Sequence, residues 1–150
     1  MSTSKWGPPI WNFFHSLIEK IKDENFSDVR IPVINFIRQI SSNLPCPDCS
    51  NHATLFFSKV NFNFIKTKDD LRQLLYVFHN MVNKRKNKKP FNISGLQSYQ
   101  NVNLIETYNK FIEVYKTTGN MKLLADNFQR QIIVKNLKIW LINNINKFNK

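Results

Sequence analysis

The apolar positions of this chain repeat with the period of an α-helix through most of its length. Ile10, Trp11, Phe13, Phe14, Leu17, Ile18 and Ile21 predict a helix over 10–21 with a broad buried face. The turn-like Trp6-Gly7-Pro8-Pro9 leads into it. After a polar linker at 22–28, Val29, Val33, Ile34, Phe36, Ile37 and Ile40 mark a second helix, with Pro32 in its first turn. Leu44-Pro45 ends that helix, because proline disfavours helix for the residue before it. A third helix starts at Cys46, and 61–67 is a loop. Thr67 is the expected N-cap of a fourth helix from Lys68 to about Lys86, with Asp69 and Asp70 favourable in its first turn. Its stripe is Leu71, Leu74, Leu75, Phe78 and Val82. Residues 91–118 read as one or two helices, 117–120 as a break at Gly119, and 121–148 as a long helix. The stripe of that helix is Leu124, Phe128, Ile132, Leu137, Leu141, Ile145 and Phe148. The predicted class is all-α.

Three polar groups interrupt this pattern. His79, Asn80 and Asn83 accompany the stripe of the fourth helix instead of lying opposite it, so each needs a partner. Trp11 and His15 are four apart and share a face. Taken alone, that pair is a core tryptophan beside a satisfied histidine. The basic run at 84–89, Lys-Arg-Lys-Asn-Lys-Lys, is either a solvated helix end complementing the dipole or an anion site.

Composition narrows the class. With 3 glycines and 6 prolines in 150 residues, an all-β fold is disfavoured. Thirteen phenylalanines and three tryptophans supply a large core for one domain, or one domain with an appendage. No apolar run reaches membrane-spanning length and no stretch reads as a signal peptide. The expected setting is therefore the cytosol, where a cysteine pair is more often chemical than structural. The net charge of +12 favours acidic partners. Lys, Asn, Ile and Phe are abundant together, which an AT-rich coding genome also produces. Base-reading motifs are absent, so nucleic acid is not the expected partner.

Both cysteines lie in Leu44-Pro45-Cys46-Pro47-Asp48-Cys49-Ser50-Asn51-His52. Pro47 suits a first helical turn, which puts Cys46 at the cap and Cys49 within the turn. There the macrodipole stabilises a thiolate, and the spacing permits a reducible disulfide. One reading is a dithiol–disulfide couple. Another is a zinc site formed by Cys46, Cys49 and His52 with His15 or His79. A third is two unrelated core thiols. A second C-x-x-C or an H-x3-5-H is missing, which puts redox chemistry ahead of zinc.

Three segments together carry a resemblance: Gly7-x3-Trp11-x3-His15, Pro45-Cys46-x2-Cys49-x2-His52, and His79-Asn80-x-Val82-Asn83 followed by Asn87-Lys88. Over about residues 6–91 the chain resembles the Erv/ALR family of FAD-dependent sulfhydryl oxidases. It closely resembles the short forms carried by large DNA viruses such as African swine fever virus. The resemblance implies a four-helix bundle with a short fifth helix over 1–92 and a C-terminal helical extension over 93–150. It implies FAD at the bundle mouth, held by Gly7, Trp11, His15, Cys49, His52, His79, Asn80, Val82, Asn83, Lys86 and Lys88, and no metal. Cys46 would take the mixed disulfide with substrate. Cys49 would pass two electrons to the flavin, and O2 would leave as hydrogen peroxide.

The departures from the family pattern bear on partners. Leu44 stands where a tyrosine is common, and Tyr76 where many members have a cysteine. A second, shuttle cysteine pair is absent, so electrons would enter from a thiol protein or a thioredoxin-like carrier. A homodimer is expected, with the final helix in the interface or over the bundle. The expected location is the host cytoplasm at the viral factory, or the virion. The rival functions are a zinc-stabilised helical module binding nucleic acid or protein, and an oxidase-like scaffold kept for interactions of residues 92–150.

Overall fold

The computed structural model describes residues 3–117 and 124–150. The expected break at Gly119 and helix start at Met121 lie outside the described residues. The described residues form six α-helices: α1 Thr3–Glu19, α2 Phe26–Ser41, α3 Pro47–Ser58, α4 Lys68–Arg85, α5 Leu104–Thr117 and α6 Leu124–Asn144. Single turns or short runs of 3-10 helix occur at Asp23–Asn25, Phe62–Phe64, Ile93–Asn101 and Ile145–Lys147. Among the described residues the one extended pairing is an isolated bridge between Ile21 and Phe148.

The core forms around α1. From Phe13 to Ile21 every residue of this segment is buried, because α4, α5 and the 93–101 segment pack around it. Helix α2 packs on α3 and α6, and α6 closes onto α5. One apolar cluster runs through all six helices, so Phe111, Tyr115, Leu137, Leu141 and Phe148 share it with Phe13, Leu17 and Val33. Phe13 stacks on Phe111 at 4.8 Å between ring centres.

Two helix starts differ from the expectation. Helix α1 begins at Thr3 and runs through Pro8 and Pro9 instead of starting after them. Each proline removes a bond to the residue four before it, here Ser4 and Lys5. Lys5 and Pro8 are exposed, so water can serve the freed carbonyls, while buried Trp6 anchors the added turn. Helix α2 begins at Phe26, inside the stretch expected to be a linker, because burying that ring repays ordering the turn. Pro32 consequently sits in its second turn.

The stripe of α6 is rotated from the expected one. Leu137, Leu141 and Phe148 are buried, but Phe128 is 65% exposed, and Ile132 and Ile145 also face out. At roughly 100° per residue, Phe128 lies roughly 180° around the helix from Leu137. The buried face is Arg130, Ile133, Val134, Leu137 and Leu141, with the Arg130 guanidinium 6.0 Å from the Tyr115 ring centre. Helix α6 carries apolar residues on two sides, and contact with α5 and α2 selects one.

Cations tie off the end of α1. Lys68 Nζ donates to the Glu19 and Ile21 carbonyls at 2.8 Å each, and Arg72 Nε pairs with Glu19 Oε1 at 2.5 Å. The buried Lys20 ammonium donates to Gln100 O at 2.6 Å and Lys150 O at 2.8 Å. Asn149 N–H bonds back to Lys20 O, which pins the final residues to α1. Helix α4 starts with a capping box: Thr67 Oγ1 accepts from Asp70 N–H, and Asp70 Oδ2 accepts from Thr67 N–H, both at 3.0 Å. Among the described residues no helix is long and apolar enough to cross a membrane.

Removing this cap should be felt across the fold. Thr67→Ala is expected to lower stability by about 1 kcal/mol, or roughly 2–4 °C in Tm for a chain of this size. Thermal melts followed by circular dichroism check it.

Candidate functional site

The cysteine turn is set by local chemistry. Cys46 is the N-cap of α3, with extended backbone (φ −132°, ψ 107°), and Pro47 fills the first helical position. Cys46 Sγ accepts the Cys49 N–H at 3.2 Å, while Ser50 Oγ accepts the Leu44 N–H at 2.8 Å. The cysteine Cα atoms are 5.2 Å apart and the two sulfurs form a disulfide. Cys46 is half-buried, whereas Cys49 is buried in the wall of a cavity.

That cavity, of about 310 Å³, opens between the start of α1, the cysteine turn and the end of α4. Its deep wall is aromatic. The His79 imidazole stacks on Trp11 with ring centres 3.9 Å apart and planes 10° apart. Phe91 also stacks with His79, with ring centres 5.0 Å apart. Behind His79 lies His15, fully buried, with its Nε2 2.9 Å from His79 Nδ1. One imidazole must donate and the other accept, and burial is what keeps both rings neutral. Burial, and then the facing His79, push His15 down to about 3. Burial, and then nearby Lys88, push His79 down to about 4.

The third wall follows from how α4 ends. Asn87 takes a left-handed conformation (φ 57°), which asparagine tolerates. Lys88 N–H bonds to Asn83 O at 2.8 Å and Asn87 N–H to Lys84 O at 3.2 Å, the pattern of a Schellman turn. The chain then doubles back. Asn80 holds it through both backbone groups of Phe91: Phe91 N–H donates to Asn80 Oδ1 at 2.6 Å, and Asn80 Nδ2 donates to Phe91 O at 3.1 Å. Gly95 makes room for the returning ring, since a Cβ there would stand 3.1 Å from Phe91.

Nine of the residues expected at the site line this one cavity: Gly7, Trp11, Cys49, His52, His79, Val82, Asn83, Lys86 and Lys88. His15 and Asn80 lie behind its surface and hold His79 and Phe91 in place. Cys46 stands outside the lining, on the other end of the disulfide. The structure adds Trp6, Leu44, Phe78, Arg85, Phe91 and Tyr99. Trp6 and Arg85 were within reach of the sequence, one beside Gly7 and the other inside the basic run. Phe91 and Tyr99 gave no local signal, because the turn at Asn87 brings them back.

The wall is basic. Among the described residues no Asp or Glu lines the cavity, but Arg85, Lys86 and Lys88 do. Lys86 Nζ stands 3.7 Å from Cys49 Sγ. Asp48, on the outer side of the turn, is met by Arg85 Nη1 at 3.4 Å and His52 Nε2 at 3.6 Å. Two donors in this region, Trp6 Nε1 and Arg85 Nε, are buried with no hydrogen-bond partner among the described residues. At Gly7, apart from its chain neighbours and the adjacent backbone of α1, no described atom lies within 4 Å of where a Cβ would stand. Stacked rings, unanswered donors and cations fit a flat aromatic ligand with acceptor atoms and an anionic part.

The neutral histidine pair makes the fold acid-sensitive. Both imidazoles titrate well below the unfolded value of about 6.5, so the unfolded chain binds more protons once pH falls under that value. The stability they contribute is whole above it and is lost as pH falls, down to about 4 for His79 and about 3 for His15. At pH 5, His15 alone should cost about 2 kcal/mol, or roughly 4–8 °C in Tm relative to pH 7.5. His15→Phe should flatten that dependence in pH-resolved melts.

Comparison with known proteins agrees with this geometry. Residues 8–103 match the model of the Erv1 / Alr family. An FAD-linked sulfhydryl oxidase of African swine fever virus, isolate Pig/Kenya/KEN-50/1950, is 31% identical over 97 residues, 65% of this chain and 78% of that protein. The enzyme of the same name from isolate Tick/Malawi/Lil 20-1/1983 has the same identity and coverage. No solved structure matches. With the matched region spanning the cysteine turn, the histidine pair and the Asn87 turn, the chain belongs to the Erv1 / Alr family.

Proposed function

We propose that this protein is an FAD-linked sulfhydryl oxidase: it oxidises protein thiol pairs to disulfides through Cys46–Cys49 and delivers the electrons to O2 as hydrogen peroxide. The observation that carries the reading is the position of Cys49. The inner sulfur of a solvent-reachable disulfide lies in the wall of a cavity of stacked rings and cations. The viral relatives of that name support it.

Trp11, His79, Val82 and Asn83 would hold the rings of FAD, with Lys88 and Arg85 beside its anionic part. When bound, the flavin supplies the two-electron acceptor for the dithiol and the reaction with O2. The chain does the rest. A substrate thiolate attacks Cys46, the sulfur outside the cavity, and Cys49 leaves as thiolate at the positive end of α3. His15 occupies His79 Nδ1 and so fixes the ring, leaving Nε2 as the nitrogen free to meet a ligand. The inner sulfur belongs to a residue that is only 7% exposed.

The zinc-module alternative lacks donors. Cys46 and Cys49 are bonded to each other, and among the described residues no three His, Cys, Asp or Glu side chains converge.

Residues 1–92 form the oxidase unit, and 93–150 are an extension that completes its core. The reductant is a protein dithiol or a thioredoxin-like carrier, a reading supported by the presence of just two cysteines in the 150 residues. The working form is a homodimer. Supporting it, Phe128, Ile132, Ile139 and Ile142 form an exposed apolar stripe on α6. The setting is the host cytoplasm at the viral factory, or the virion, supported by the viral source of the relatives.

Purified protein should be yellow with a flavin spectrum and should release peroxide on addition of dithiothreitol. Cys49→Ser should reduce that release at least about 100-fold while the flavin stays bound. A colourless protein, or undiminished turnover in Cys49→Ser, would refute the reading.

A further inference from the structure

We infer that Lys86 is a catalytic cation of the disulfide exchange, its ammonium group holding the thiolate that Cys49 becomes when the Cys46–Cys49 bond opens. The inference rests on the oxidase reading for its substrate, though the contact itself does not.

Position and reach are both set. Lys86 is the C-cap of α4, fixed by the turn in which Asn87 is left-handed and Lys88 N–H returns to Asn83 O. From there Nζ reaches Cys49 Sγ at 3.7 Å. Lys86 is half-buried and Cys49 is buried, so a charge pair between them would be poorly screened. The contact is selective, because Lys86 meets the sulfur that leaves and not the one that substrate attacks.

The surrounding charges leave this task to Lys86. From α3, Asp48 is already engaged by Arg85 and His52. The described α1 and α2 residues that line the cavity are uncharged, and the other titratable or charged lining residues are His52 on α3, His79 and Arg85 on α4, and Lys88 just past its end. Burial, then Arg85 and Lys88, hold the Lys86 ammonium below the ordinary lysine range, with Asp48 pulling the other way. A cation so placed gains from a new anion 3.7 Å away. Lys88 and Arg85 remain for the anionic part of the cofactor.

The step balances within the chain and its substrate. A substrate thiolate attacks Cys46 Sγ, the S–S bond breaks, and its electron pair goes to Cys49 Sγ beside Lys86. The second substrate thiol attacks the substrate sulfur of the mixed disulfide, and Cys46 Sγ leaves with that bond's electron pair and takes up the thiol's proton. The substrate ends as a disulfide, oxidised by two electrons. The chain ends as a dithiol, reduced by two, with Cys49 as thiolate and one proton left on Cys46.

Cys46→Ser leaves Cys49 as the sole thiol, and serine is itself a favoured N-cap, so α3 keeps its start. In that background the pH dependence of iodoacetamide alkylation, followed by intact mass, reads the Cys49 thiol directly. Its midpoint is expected below the ordinary thiol value of about 8.5. Adding Lys86→Met should raise it by about one pH unit or more, and adding Lys86→Arg should leave it low. Should Lys86→Met fail to fold by circular dichroism, Lys86→Gln replaces it with the same expectation. An unshifted midpoint in the Met or Gln variant overturns the inference. Flavin spectrum and peroxide release are read separately on the unaltered protein. Their loss would remove the oxidase reading alone, and an unshifted midpoint in a yellow, peroxide-releasing protein would remove Lys86 alone.

Discussion

The site depends on one short constraint, the closure of the Cys46–Cys49 disulfide across the first turn of α3. Pro45 and Pro47 hold Cys46 in extended backbone at the cap, and its sulfur receives the Cys49 N–H. That geometry places one sulfur outward and the other in the cavity wall. It also puts the inner sulfur in the field of a helix start, where partial positive charge favours a leaving thiolate. The end of α4 meets the same point and adds Arg85 and Lys86.

A cavity of this kind needs polar groups inside an apolar bundle, and each must be satisfied without filling the space. The chain solves this by pairing groups one layer back. His15 takes the inner nitrogen of His79, and Asn80 takes both backbone groups of Phe91. What lines the cavity is then largely ring surface and cations, while Trp6 Nε1 and Arg85 Nε are buried without a partner among the described residues. The C-terminal helices are part of the arrangement. With α5 and α6 covering the bundle, α1 can be buried from Phe13 onward, which steadies the helix that carries Trp11 and His15.

Wherever backbone chemistry is local, the sequence was readable. Thr67 with Asp70, Cys46 with Pro47, and the polar trio beside the α4 stripe each need only a few neighbours to be understood. The failures lie where burial is decided at a distance. Pro8 and Pro9 read as a helix start, but buried Trp6 extends α1 before them. Phe26 read as linker until its ring found the core. Helix α6 has apolar residues on two sides, and periodicity alone selected a stripe that leaves Phe128 in solvent.

The amino-acid order by itself determined that this is a helical protein, where most helices stop, and that its two cysteines form one redox-capable turn. These follow from dihedral preferences, capping and spacing, which act over a few residues. Only the tertiary structure decided that Phe91 and Tyr99 return to the wall, that His15 and Asn80 stand behind it, and that Lys86 points at the inner sulfur. Those outcomes depend on how α4 ends and what packs around α1, since contact between distant segments is chosen by the burial of whole faces.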